Sequence, residues 1–172
     1  MHAFLKTVSM SAWLAWCSSV AHADEPPELP RSHKISSGSR NCWAYTDAEA
    51  ERTTAYRRSK SGKRIAIWSV PAFFRVAALS RDCTYFVTGY DGVNVVPVDY
   101  DPSTVMLTFY RNGEAFASVE LATLIRDLSK LQRTASHFYW GEYIGLERGH
   151  FYRVETVDRG QILFDMTTGQ AL

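Results

Sequence analysis

"TVMLTFYRNGEAFASVEL", Thr104 to Leu121, carries the reading of the fold. Val105, Leu107 and Phe109 alternate with Met106, Thr108 and Tyr110, the period of two expected of a strand with one face on a core. Asn112-Gly113 follows. A two-residue type I′ turn needs positive φ at both central positions, and Asn-Gly meets that need best. Ala115 to Val119 then returns, completing an antiparallel hairpin. The same grammar on either side predicts a mainly β chain.

Upstream, Thr53–Arg58 (TTAYRR), Arg64–Ser69 (RIAIWS), Phe73–Leu79 (FFRVAAL) and Thr84–Thr88 (TYFVT) read as strands, although Asp47–Arg52 has helical propensity. Ser61-Gly62 and Ser80-Arg81-Asp82 break them. Downstream, Phe138–Ile144, Phe151–Val157 and Gln161–Met166 form a meander. Between Thr88 and Pro102, two turns flank a short edge strand at Val93–Val96, where Pro97 lacks a donor N–H. One segment changes period. Leu121, Leu124, Ile125, Leu128 and Leu131 lie at helical spacing, with Ser118 as cap and Glu120 in the first turn. They predict one amphipathic helix over about 119–131, packed against a sheet.

The N-terminus has another character. Lys6 is followed by an apolar run, Val8 to Val20, that ends in Ala21-His22-Ala23. This predicts a signal peptide, 1–23, cleaved near Ala23, and a protein of the periplasm or the cell exterior. The run is too short and too interrupted by serine to span ~30 Å of hydrocarbon, so no stable membrane span is expected after cleavage. The Pro-, Ser- and charge-rich residues 24–40 read as a poorly ordered leader, and 41–172 as a single β-rich domain. Without Lys6, the 19 basic residues of the chain fall level with its 18 acidic ones. No long basic run exists, so the balance points to no nucleic acid and no anionic-membrane partner, local patches aside. Cys17 leaves with the signal. Cys42 and Cys83 remain and, in an exported protein, read as a disulfide contributing ~3–4 kcal/mol.

A weak repeat emerges from the strands. TAYRRSKSGKRIAIW, LTFYRNGEAFASVEL and LFDMTTGQAL share a strand, a glycine turn and a returning strand, centred on Gly62, Gly113 and Gly169. Two hairpin-like bodies lie between them. VAALSRDCTYFVTGYDG has an apolar strand, a Ser-x-Asp turn, an apolar strand and an Asp-Gly turn; ILFDMTTGQ places an aspartate before a Thr-Gly turn. These stretches resemble blades of WD-repeat and quinoprotein-type β-propellers over about two blades, Arg52 to Leu172, with Cys83 where the blade pattern usually has glycine. The resemblance implies two blade-like antiparallel sheets. A closed propeller has ~4–8 blades, so it also implies sheets packed face to face or a homo-oligomer. It implies no particular activity.

The chemistry-bearing residues form few patterns. Asp99 to Ser103 begins like a calcium loop, but Thr104 stands where glycine and Tyr110 where glutamate should be, so no metal site is assigned. His33, His137 and His150 lack zinc spacing, and no G-x-S-x-G elbow or cofactor motif occurs. Ser136 and His137 are adjacent, and strand alternation should point them apart. Aspartates and glutamates could supply a glycosidase pair, but nothing in their spacing selects one.

Aromatics, 13% of the chain, are the remaining signal. On one continuous strand Phe138, Trp140 and Glu142 would share a face, and Tyr139, Gly141 and Tyr143 the other. A strip of Tyr139, Tyr143 and Tyr152 beside Arg153, with Trp140 and His137 near it and Tyr90 and Asp91 on a loop, is the candidate binding surface. The leading expectation is a small exported, disulfide-bonded binding or assembly module whose ligand is an envelope protein or glycan. The alternatives are an envelope hydrolase using Asp91 or Asp99 with His137, and a self-associating propeller-like subunit.

Overall fold

The computed structural model describes residues 29–172; the expected signal peptide and the start of the leader lie outside the described residues. Three four-stranded antiparallel meanders follow one another along the chain. The first sheet is β1 (His33–Ser36), β2 (Cys42–Asp47), β3 (Arg52–Arg58) and β4 (Arg64–Val70), in that order. The second contains β5 (Ala77–Leu79), β6 (Tyr85–Gly89), β8 (Val105–Arg111) and β9 (Glu114–Glu120). Before β8, the chain detours through β7 (Val95–Pro97). That strand pairs with β11 (His137–Tyr139), which also pairs with β10 (Gln132–Arg133), giving a small three-stranded sheet. The third meander is β12 (Gly141–Glu147), β13 (Phe151–Thr156), β14 (Gly160–Asp165) and β15 (Gln170–Ala171).

The chain is mainly β, as its alternation indicates, but its described residues form four sheets rather than two. The extra four-stranded meander is the first. Its β1 falls within 24–40, the stretch read as a disordered leader. In β1 only Ile35 is buried, and one apolar residue in a polar run carries no periodic signal. Regular structure therefore begins before Cys42. The three hairpins of the sequence repeat are β3–β4, β8–β9 and β14–β15, the closing pair of each meander.

The opening hairpin turns as expected, with Asn112 at φ 50° and Gly113 at φ 86°. Its strict alternation fails at one point. A bulge between Val105 and Leu107 rotates the strand, so that Met106 and Leu107 are both buried.

The helix expected over 119–131 is a single turn, α1 (Leu121–Leu124), followed by a 3₁₀ turn at Leu128–Lys130. Ser118 stays in β9 and caps nothing. The Asp158 carboxylate accepts the N–H groups of Arg126 (2.8 Å) and Asp127 (3.1 Å), which a continuing helix would have bonded to its own carbonyls. Asp127 in turn accepts the Ser129 N–H at 3.1 Å. The leucine stripe is still a burial signal, since Leu121, Leu124, Ile125 and Leu131 all enter the core.

Two cores hold the sheets together. The larger lies between the second and third sheets, around Met106, Phe109, Trp140, Tyr152 and Phe164, with the α1 leucines closing one side. The smaller joins the first sheet to the second through Ala44, Ala55 and Trp68 against Leu79 and Phe86. The Cys42–Cys83 disulfide crosses this smaller core, with Cα atoms 5.7 Å apart. Cys83 sits at φ 66°, the left-handed region where glycine is favoured. Here the cross-link holds that turn.

Candidate functional site: a cleft between the leading strands

The leading strands of the three meanders face one another. β1, the segment Arg75–Ala78 that enters β5, and β12 line a cleft of about 390 Å³, floored by Tyr143 and Tyr152. Ile35, Val76 and Leu146 make its walls apolar, and His33 and Arg75 bring nitrogen groups; Lys34 also lines it, but its ammonium lies over the Trp43 ring on the outer face of the first sheet. Among the described residues, no acidic side chain lines it.

Arg75 holds the most constrained of these charges. Its side chain is only 18% exposed, and its Nε donates to the Asp91 carboxylate at 2.9 Å. Asp91, on the loop after β6, is 75% exposed and sits outside the cleft as the guanidinium's partner. His33 meets Phe73 edge-on at 6.1 Å and its Nδ1 lies 3.0 Å from the Arg31 carbonyl.

The two floor tyrosines differ. The Tyr143 hydroxyl donates to the Met106 carbonyl at 2.8 Å and accepts the Tyr90 N–H at 2.8 Å. It thereby ties the third sheet to the bulge of the second. Its ring passes so close to Gly89 that a Cβ there would stand 2.7 Å from it. Burial pushes the Tyr143 phenol far above its usual range. Tyr152 is 2% exposed, and burial likewise raises its phenol well above the usual value. Yet among the described residues its hydroxyl has no hydrogen-bond partner and is not sealed from solvent, and the residue lines the cleft. A phenol in that position can donate one hydrogen bond to a ligand oxygen.

The other sequence-derived site residues are dispersed. Trp140 is fully buried, its indole N–H bonded to the Val93 carbonyl at 2.9 Å and its ring 4.8 Å from Tyr143. It is core, not surface. The tyrosine strip does not form, because the chain leaves β11 at Tyr139 and enters another sheet at Gly141, which breaks the alternation assumed across 138–143. Tyr139 stays partly exposed on the small sheet, its phenol raised by burial and by the Glu142 and Glu155 carboxylates. Arg153 pairs with Glu147 and donates to Gln161 at 3.2 Å. Tyr90 packs against the larger core.

His137 does meet Ser136, whose Oγ lies 2.9 Å from its Nδ1. Strand alternation does not separate them, because Ser136 precedes β11. Among the described residues, no hydrogen bond or ion pair joins His137 to Asp91 or Asp99. Asp101 accepts the Ser103 N–H at 2.8 Å, so its carboxylate shapes a turn, and that bond holds it below its usual pKa.

The sequence reading missed His33, Lys34 and Arg75. The first two lay in the presumed leader. Arg75 had a signal: it is the one charge inside the apolar run FFRVAAL, and a charge there must find a partner.

The fold and cleft define a mainly antiparallel β protein with one disulfide and a cation-lined opening between successive meanders. No protein-family model matches the chain, and no curated protein matches it, so the residues themselves carry the functional reading.

Proposed function

We propose that the protein is an exported binding module that holds an acidic group of an envelope glycan in the cleft between its leading strands. One observation carries this reading: the almost wholly buried Tyr152, its hydroxyl unpartnered among the described residues, lines a cleft together with Arg75 and, among the described residues, with no acid. Guanidinium and phenol together suit a carboxylate, the guanidinium by charge and the phenol by one directed donor. Tyr143 and the aliphatic walls suit the apolar face of a sugar ring. The disulfide agrees with an oxidising compartment, and among the described residues no helix is long and apolar enough to cross a membrane. The succession of three four-stranded meanders with converging leading strands also supports the blade-like reading, since propellers gather leading strands around a ligand-binding axis.

Titration of the purified protein with glucuronic and N-acetylmuramic acids, against glucose as the neutral control, tests this by ligand-observed NMR. Acidic sugars should show saturation transfer that Tyr152→Phe weakens several-fold and Arg75→Gln abolishes, with the melting temperature of Tyr152→Phe unchanged. Equal transfer to glucose, or none to any of the three, rejects the reading. Transfer from an acidic peptide alone assigns the cleft to a protein ligand instead.

A further inference from the structure

The β3–β4 hairpin concentrates positive charge at one end of the molecule. Its tip, RRSKSGKR, carries Arg57, Arg58, Lys60, Lys63 and Arg64 without one acid. From Arg57 to Ile67 no residue is buried, so this part of the hairpin stands clear of the body. Arg57 donates to the Asp82 carbonyl at its base. Among the described residues, none of the other four cations has an ion-pair partner. The chain as a whole is nearly neutral, so the charge on this arm is a local excess.

The same end exposes apolar side chains. Ile65 is 48% and Ile67 37% exposed. β4 has an edge position in its sheet, and a bulge between Ala55 and Tyr56 turns Ile67 out of the ladder. On the sheet's outer face, Trp43 and Tyr56 stack across neighbouring strands at 5.9 Å. Lys34 (5.6 Å) and Arg58 (5.9 Å) lie over Trp43, and Arg64 lies over Tyr56 at 4.8 Å. Single exposed isoleucines are ordinary on a protein surface. Two of them on a projecting arm that also carries cations without an ion-pair partner among the described residues, with Ile65 on the face opposite the Trp-Tyr stack by its pairing with Arg57, form a definite chemical combination.

We propose that the β3–β4 arm and the outer face of the first sheet dock on an anionic lipid surface. Each element has a place there. Lys and Arg meet the headgroup phosphates, Trp and Tyr favour the headgroup level, and isoleucines reach the acyl boundary. An acidic polysaccharide would use the cations but has no use for Ile65 and Ile67. Lys60, Lys63, Arg64, Ile65 and Ile67 all lie outside the cleft lining, so either site can fail without the other.

Vesicle co-sedimentation of the purified protein tests it. Mixed phosphatidylcholine–phosphatidylglycerol vesicles should retain the protein, and pure phosphatidylcholine vesicles should not. Raised salt should weaken retention but leave a residual fraction. Lys60→Gln/Lys63→Gln/Arg64→Gln should lower the partition coefficient roughly a hundredfold, at about fivefold per cation. Ile65→Ser/Ile67→Ser should keep the preference for anionic vesicles and lose the salt-resistant fraction. All five positions are exposed, so the circular dichroism spectrum and melting curve should match the parent. Equal retention on both vesicle types, full retention of the triple variant, or an intact salt-resistant fraction in the isoleucine variant overturns the proposal. So does binding to soluble heparin with no retention on any vesicle, which assigns the arm to a polysaccharide.

Discussion

Two aromatic groups of similar composition meet opposite fates in this chain. Trp140, Tyr143 and Tyr152 lie between the second and third sheets, with Trp140 and Tyr152 almost wholly buried and every indole or phenol proton but that of Tyr152 given to a carbonyl. Trp43 and Tyr56 also stack on each other but lie on the open face of the first sheet, with cations for neighbours. The residue types do not differ. What differs is the cover. The third sheet faces a sheet whose Gly89 leaves room for a tyrosine ring, whereas nothing in the described chain covers the outer face of the first.

That contrast can be broken in four ways, from the largest effect down. Trp140→Ala opens a cavity in the larger core and should cost ~3–5 kcal/mol, against less than ~1 kcal/mol for Trp43→Ala; paired urea titrations measure both. Equal losses would mean that the two faces are equally packed. Replacing Cys42 and Cys83 by serine should cost ~3–4 kcal/mol and open the smaller core first, which protection of the Trp68 indole N–H from exchange would report. Its acceptor is the Cys83 carbonyl, 2.7 Å away.

Gly89→Ala places a methyl group against the Tyr143 ring and should cost ~1–3 kcal/mol by overpacking. Gly89→Ala with Tyr143→Leu should be less than additive, because the ring that clashes is gone. The smallest test is alkaline. In the folded chain, burial raises the Tyr143 and Tyr152 phenols above the ordinary tyrosine value of about 10, which they regain on unfolding. Above pH 10 the unfolded chain therefore loses protons that the folded chain keeps. Stability is complete below pH 10 and falls above it by about 1.4 kcal/mol per unit for each group. Tyr143→Phe should remove one group's share of that slope and cost ~1 kcal/mol at neutral pH. An unchanged slope would place the Tyr143 phenol in water.

The hairpin at 105–120 was legible because local rules decide it: alternation, then Asn-Gly. The glycine repeat was legible for the same reason, and it marks the closing hairpin of every meander. Period alone could not reveal the sheet in which each strand would sit. Tyr139 and Gly141 look continuous in sequence, yet Trp140 lies between two sheets, donating its N–H to the Asn94 carbonyl while its own carbonyl accepts the Val157 N–H. The leucine stripe gave the correct burial and the wrong backbone, because Asp158, distant in sequence, takes the amides that a helix needs. The cleft was half legible. Tyr143 and Tyr152 stood out as aromatics, but Lys34 and His33 lay on a strand whose one apolar residue gave no pattern, and Arg75 gains meaning only from Asp91 across a loop.

The smaller core has a consequence in time as well as in space. Its first-sheet members end at Val70, while the residues that close it, Leu79, Cys83 and Phe86, come after the sheet is complete. A chain emerging N-terminus first can pair β1 to β4 yet leaves Ala44, Ala55 and Trp68 uncovered until the β5–β6 hairpin arrives. The first sheet is thus made before the strands that seal it, and Cys42 waits as a thiol through the same interval.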